Sequence, residues 1–289
     1  MSLDRLAARG RRTASPGRPT RAIVWLLLTL ARPVVRVMYR PTLEGAERLP
    51  REGAFMLVAN HGASLGAADI LSFAVMWLER FGVERPLAGF AHPFAFQVWP
   101  ISVFMSQLGA IPSTFADGEA TLADGVPILI FPGGDHEATR SSLGPQDVDF
   151  GGRVGFLKLA RKAGVPIVPM GVRGSHMTAP VLFRSKRALA IAYVLPRLLG
   201  VKRYPFTVLA ALGAIAIVLA LPQLGYARFA LAFVFLASPL TLLPWVPWKL
   251  RARIGAPISP RELFGDTQDD DLSPALARVE SEVRALIRR

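Results

Sequence analysis

The stretch Ala54-Phe55-Met56-Leu57-Val58-Ala59, followed at once by Asn60-His61-Gly62-Ala63-Ser64-Leu65-Gly66-Ala67-Ala68-Asp69, decides how this chain is read. An unbroken apolar run of six that stops at a polar, glycine-bearing turn describes a strand buried on both faces. The periodic residues 69–80 after it describe a helix. The same grammar recurs at 127–131 (PILIF) and 166–172 (PIVPMGV), with a helical pattern at 153–163 between them, and 253–258 (RIGAPI) reads as one more strand. Strands alternating with helices predict an α/β fold, a mixed central sheet flanked by helices. A last amphipathic helix is expected over 274–288, after an acidic loop at 266–271.

Outward from this core the pattern changes at both ends. Residues 1–20 hold Arg, Pro, Ser and Gly without apolar periodicity and predict a disordered tail. Residues 21–40 predict a helix with Ile23, Leu26, Leu27 and Leu30 on an apolar face and Arg32, Arg36 and Arg40 stacked at i, i+4, i+8. The apolar run 22–31 is too short to span a bilayer, so the helix is read as lying in the interface over anionic headgroups. The alternative is a core-packing helix with solvated arginines. Residues 204–227 and 229–248 carry no charge and are separated by Arg228 alone; Lys202, Arg203, Lys249, Arg251 and Arg253 flank them, with Tyr204, Trp245 and Trp248 near the ends. A hydrophobic hairpin dipping into the bilayer from a basic, cytoplasmic face accounts for that pattern. The expected division is therefore 1–40 tail and interfacial helix, 41–203 first part of the catalytic domain, 204–248 membrane hairpin, and 249–289 the returning strand and helix.

Of 289 residues 52% are hydrophobic, enough for a sizeable core, and 34 Lys and Arg against 21 Asp and Glu give a formal charge of +13. The positive charge crowds next to apolar segments: residues 1–40 hold nine Arg and one Asp. No zinc-finger spacing or aromatic-basic interleaving accompanies it, so the expected partners are membrane lipids and not nucleic acid. The absence of Cys excludes disulfides and thiolate metal sites. The N-terminal segment lacks a cleavage pattern and is expected to be retained.

Chemistry concentrates in two places. A His at a strand end, followed by small residues and then an acid opening a helix, makes His61 a candidate general base with Asp69 orienting its ring. The second place is Phe131-Pro132-Gly133-Gly134-Asp135-His136-Glu137-Ala138-Thr139-Arg140-Ser141. There the glycines let backbone approach an anionic group, and Arg140 can pair with phosphate bidentately. His92 is read as packing and His176 as structural. Asp135, His136, Glu137, Asp147 and Asp149 match no metal motif, so no metal is expected.

Asn60-His61 with Asp69, the FPGG stretch with Glu137-Ala138-Thr139-Arg140-Ser141, and Val165-Pro166-Ile167-Val168-Pro169 resemble successive blocks of the glycerolipid acyltransferase superfamily, with features of the type-2 diacylglycerol acyltransferase-like branch. The similarity runs from about residue 53 to residue 174, and the GAPI strand extends it. The resemblance implies an acyltransferase with His61 as base and Asp69 as its orienter. It implies acyl-CoA or acyl-carrier protein as donor, with no further cofactor. Gly133, Gly134, Glu137, Thr139 and Arg140 become substrate-binding candidates. Three departures stand out. Seven residues, not four, separate His61 from Asp69; Gly133 replaces the usual acid; and 109–114 (GAIPST) lacks the usual acceptor-binding arginine, for which Arg153 or Lys158 can substitute. The implied reaction is acyl transfer to a glycerolipid hydroxyl, a lysophosphatidate or lysophospholipid first. His61 takes the hydroxyl proton, and backbone N–H groups near the glycines hold the oxyanion. A neutral alcohol such as diacylglycerol is the alternative, and a non-catalytic membrane lipid-binding protein is the rival of another class.

Overall fold

The computed structural model describes residues 17–62, 67–144, 147–186, 203–265 and 271–288. Most of the expected disordered tail, the small residues 63–66, Lys202 and most of the acidic loop lie outside the described residues.

The alternation seen in the sequence becomes a seven-stranded sheet. Its strands are β1 (Thr42–Glu44), β2 (Met56–Ala59), β3 (Ala88–Ala91), β4 (Ala110–Pro112), β5 (Ile128–Ile130), β6 (Ile167–Arg173) and β9 (Arg251–Ile254), in the order β1-β9-β6-β2-β5-β3-β4. All neighbours are parallel except β6 and β9. The expected mixed sheet flanked by helices is the fold observed.

The three central strands read as continuous apolar runs because both faces are covered. Met56, Val58, Ile128 and Ile167 point to one face, where α6 (Gly155–Ala163) and α10 (Ser273–Arg288) supply Phe156, Leu159, Val279 and Val283. Leu57, Ala59, Leu129 and Val168 point to the other, against Phe73, Met76 and Trp77 of α2 (Ala67–Phe81). Outside α2 lies α1 (Arg21–Met38), whose Val35 packs with Tyr39, Ala68, Val75 and Leu250.

Two details differ from expectation. In the arginine stripe, Arg32 and Arg36 both pair with Glu79 of α2 and so tie α1 to the domain; Arg40 does not share that partner. The returning strand is 251–254, not 253–258, and Ile258 then makes a single bridge to Ile167.

Segment 204–248 opens with β8 (Tyr204–Thr207), which pairs with β7 (Val181–Ser185) as a two-stranded antiparallel sheet. The helices α7 (Val208–Ala220) and α8 (Ala227–Leu236) follow. They pack on each other but leave Leu219, Tyr226 and Val234 more than 60% exposed. No helix among the described residues is long and apolar enough to cross a membrane. Their 13 and 10 residues reach about 20 and 15 Å, against a hydrocarbon core of about 30 Å.

Candidate active site

Because β2, β5 and β6 run parallel, their carboxyl ends meet on one edge, where ligands of open α/β sheets bind. β2 delivers Asn60 and His61, β5 delivers 131–134, and β6 delivers 173–176. Asn60 continues the sheet past its last backbone pair: its Nδ2 donates to Val172 O at 2.8 Å and its Oδ1 accepts from Val172 N at 2.7 Å. That double bond fixes the direction in which the chain leaves β2, and so fixes His61.

The His61 imidazole is almost buried and stacks on Phe131, the ring centroids 4.5 Å apart. Its Nδ1 lies 3.6 Å from Asp69 Oδ2, despite the seven intervening residues. Asp69 sits in the first turn of α2, where the helix dipole favours a carboxylate. The same Oδ2 accepts from Gly62 N at 2.5 Å, while among the described residues Asp69 Oδ1 and His61 Nδ1 have no hydrogen-bond partner. The 3.6 Å separation is longer than a hydrogen bond. A Cβ on Gly62 would collide with Ser175 Oγ and Asp69 Oδ2, so the close approach of strand end to helix start needs a glycine.

Glu137, expected to bind substrate, lies behind His61 and outside the cavity wall. Its side chain is 1% exposed; Oε2 accepts from His61 N at 2.9 Å and Oε1 from Asp149 N at 3.2 Å. Burial pushes its carboxyl up to about 8, opposed by those two N–H donors and by Arg140. A Cβ on Gly133 would strike this carboxylate. Thr139, wholly buried, donates to Asp135 O within its own helix turn, so its hydroxyl does not face substrate. Arg140 reaches toward the second buried histidine, its Nη2 3.5 Å from His176 Nε2. Burial first, and then Arg140, bring the His176 imidazole down to about 4.

In front of His61 a cavity of about 1050 Å³ runs between α2, α1 and strands β3–β5, walled by Phe73, Trp77, Phe90, Phe131, Phe156 and Leu159. Gly134 and Arg153 belong to its wall; Glu137, Arg140 and Lys158 do not, and Lys158 is exposed. Arg153 braces the FPGG turn, with Nη1 donating to Pro132 O (3.0 Å) and Gly133 O (2.8 Å) and Nη2 to Asp135 Oδ1 (2.8 Å). Of five N–H donors that leaves two for a ligand. Where the family arginine is missing after β4, Ser113 and Thr114 line the cavity. Of the backbone N–H groups near the glycines, that of Gly134 is engaged within the turn, donating to Phe131 O at 3.1 Å.

The acyltransferase family model matches residues 40–173, the span from the end of α1 to the last residue of β6. Residues 40–173 are thus similar to an acyltransferase domain. The acyltransferase resemblance read from the sequence blocks is borne out over that span. Uncharacterized proteins of Mycobacterium tuberculosis and Mycobacterium bovis are each 26% identical over 247 residues, covering 84% of this chain and 60% of the relative. One from Mycobacterium leprae is 27% identical over the same length. The chain thus spans about 60% of the length of the curated relatives it matches. Among solved structures, the 1-acyl-sn-glycerophosphate (LPA) acyltransferase PlsC from Thermotoga maritima superposes with a TM-score of 0.50 at 16% identity, over 91% of this chain and 78% of that one, a likeness of fold.

Asn60 and Ser175 were given no role by sequence reasoning, and Asp149 was weighed only as a metal ligand. Asn60 carried a signal, a side chain with both donor and acceptor just where the apolar run stops. Ser175 and Asp149 carried none, since their positions depend on contacts far along the chain.

Proposed function

We propose that the protein moves a fatty acyl chain from a thioester, acyl-CoA or acyl-carrier protein, to a glycerolipid hydroxyl at a membrane surface. The observation that carries this reading is the His61–Asp69 pair opening onto a large apolar cavity. Ligand pockets run to about 1,000 Å³, and a wall of aromatic and aliphatic side chains suits an acyl chain. With Nδ1 turned to Asp69, Nε2 is the ring nitrogen left for the acceptor. Nε2 takes the hydroxyl proton as the oxygen bonds to the thioester carbonyl carbon. The tetrahedral adduct then collapses, the C–S bond breaks, and the proton passes from the imidazolium to the departing thiolate.

A lysophosphatidate or lysophospholipid acceptor would place its phosphate by the two free donors of Arg153. A second reading, a neutral alcohol such as diacylglycerol, is favoured by Ser113 and Thr114 standing where a phosphate-binding arginine would be. Attachment to the membrane falls to the exposed faces of α1, α7 and α8, which enter one leaflet without crossing it. Purified protein supplied with one acyl-CoA and a panel of lysophosphatidate, lysophospholipids and diacylglycerol tests the proposal. Acylation of a lysophospholipid is expected; acylation of diacylglycerol alone selects the second reading. No turnover with any acceptor, from acyl-CoA or acyl-carrier protein, returns the chain to the lipid-binding class.

A further inference from the structure

Away from the acyl cavity, toward the β1 edge of the sheet, a second concavity of about 620 Å³ gathers Arg40, Arg173, Lys249 and Arg251, with Gly174 and Trp248 beside them. No acidic side chain lines it, and among the described residues none of the four cations has a carboxylate partner. The other two arginines of the α1 stripe share Glu79, which makes the isolation of Arg40 the exception.

The backbone forces these charges together. Arg173 and Arg251 are directly opposed in the antiparallel β6–β9 pair, an arrangement that like charges disfavour unless an anion sits between them. Arg251 is in turn opposite Thr42 on β1, two residues after Arg40, and Arg40 is held at φ 41, a conformation rare for a residue with a side chain. Gly174, at φ +95, lies so close to Lys249 O and to Trp248 Cδ1 that a Cβ there would push the hairpin exit away. Four uncompensated cations in one hollow call for an anion with several acceptor oxygens, and phosphate is the fitting chemistry.

The surroundings say where that phosphate comes from. Arg40 follows the end of α1, whose Trp25, Leu30 and Val37 are exposed; Trp248 and Lys249 follow the hairpin that exposes Leu219 and Tyr226. The hollow lies at the junction of the two apolar segments, and Trp248, 44% exposed, belongs to the interfacial type of residue. We infer that this concavity binds the phosphate of an anionic phospholipid, so that the enzyme seats on negatively charged membrane at a site separate from the acyl cavity. The inference rests on the membrane attachment proposed above, not on acyl transfer.

The test uses the full chain with vesicles of phosphatidylcholine alone or mixed with phosphatidylglycerol, read by co-sedimentation, and a calorimetric titration with coenzyme A. Arg173→Gln combined with Arg251→Gln should lower partitioning onto the mixed vesicles about thirtyfold, at roughly fivefold per charge, and leave binding to phosphatidylcholine unchanged. Lys249→Gln, at an exposed side chain, should give the fivefold loss alone and guards against a folding defect in the pair. Wild-type partitioning by both variants overturns the inference. So does a loss confined to coenzyme A binding, which would assign the hollow to the phosphates of the donor. Neither readout needs turnover, so an inactive preparation would count against the proposed reaction and leave this test intact.

Discussion

Replacing Glu137 by Gln isolates the buried acid behind His61. In the folded protein its carboxyl is raised from 4.5 to about 8, so between those limits the native state holds a proton that the unfolded chain releases. Stability therefore falls as pH rises through that window, by about 1.4 kcal/mol per pH unit and about 5 kcal/mol in all. His176 acts in the opposite sense. Its imidazole is lowered from 6.5 to about 4, so the unfolded chain holds the extra proton and stability rises with pH over that interval, by about 3 kcal/mol. Where the intervals overlap the two slopes cancel. The wild type should be level from pH 4.5 to 6.5 and lose about 2 kcal/mol between 6.5 and about 8. In the Gln variant one amide end still accepts from a backbone N–H, but the other turns an NH₂ toward a donor, costing about 1–3 kcal/mol. Its profile should rise up to pH 6.5 under His176 alone and then stay flat, crossing the wild type as pH increases. Urea unfolding in mild detergent, followed by tryptophan fluorescence at stepped pH, reads both curves. Parallel curves for the two proteins would refute the assignment of a neutral, buried Glu137.

Two other expectations follow from the same geometry. Asp69→Asn keeps an oxygen for Gly62 N but loses the charge beside His61, so kcat should fall by about 10²-fold or less with the acceptor KM little changed; a steady-state comparison against wild type checks it. Leu219→Asp with Val234→Asp alters side chains 73% and 63% exposed, so the fold should hold while membrane partitioning drops at least about tenfold, read by fractionation with a thermal melt as control.

How much was legible beforehand follows from burial. β2, β5 and β6 announce themselves because strands covered on both faces are continuously apolar. β3 and β4, with AGFA and AIP, are too short and small-sided to stand out. The arginine stripe of α1 was visible as a spacing, yet its partner Glu79 lies 43 residues beyond Arg36, and nothing local reveals that pairing. The same holds at the site. His61 and Asp69 could be named from a strand end and a helix start. Whether Glu137 meets substrate or supports the backbone of His61 depends on a contact across 76 residues. Arg153 was legible as a cation but not as the brace of the FPGG turn, which makes Arg153→Ala a compound perturbation and not a simple probe of the acceptor.

Acyl transfer as proposed depends on His61 as the base. Purified His61→Ala, compared with wild type for acyl transfer from acyl-CoA, with circular dichroism and vesicle partitioning measured on the same preparations, tests it most directly. A loss of about 10²–10⁴-fold in turnover is expected with fold and membrane binding preserved, because the ring stacks on Phe131 beside Asp69 at a cavity wall. Near-wild-type turnover by that variant would contradict it.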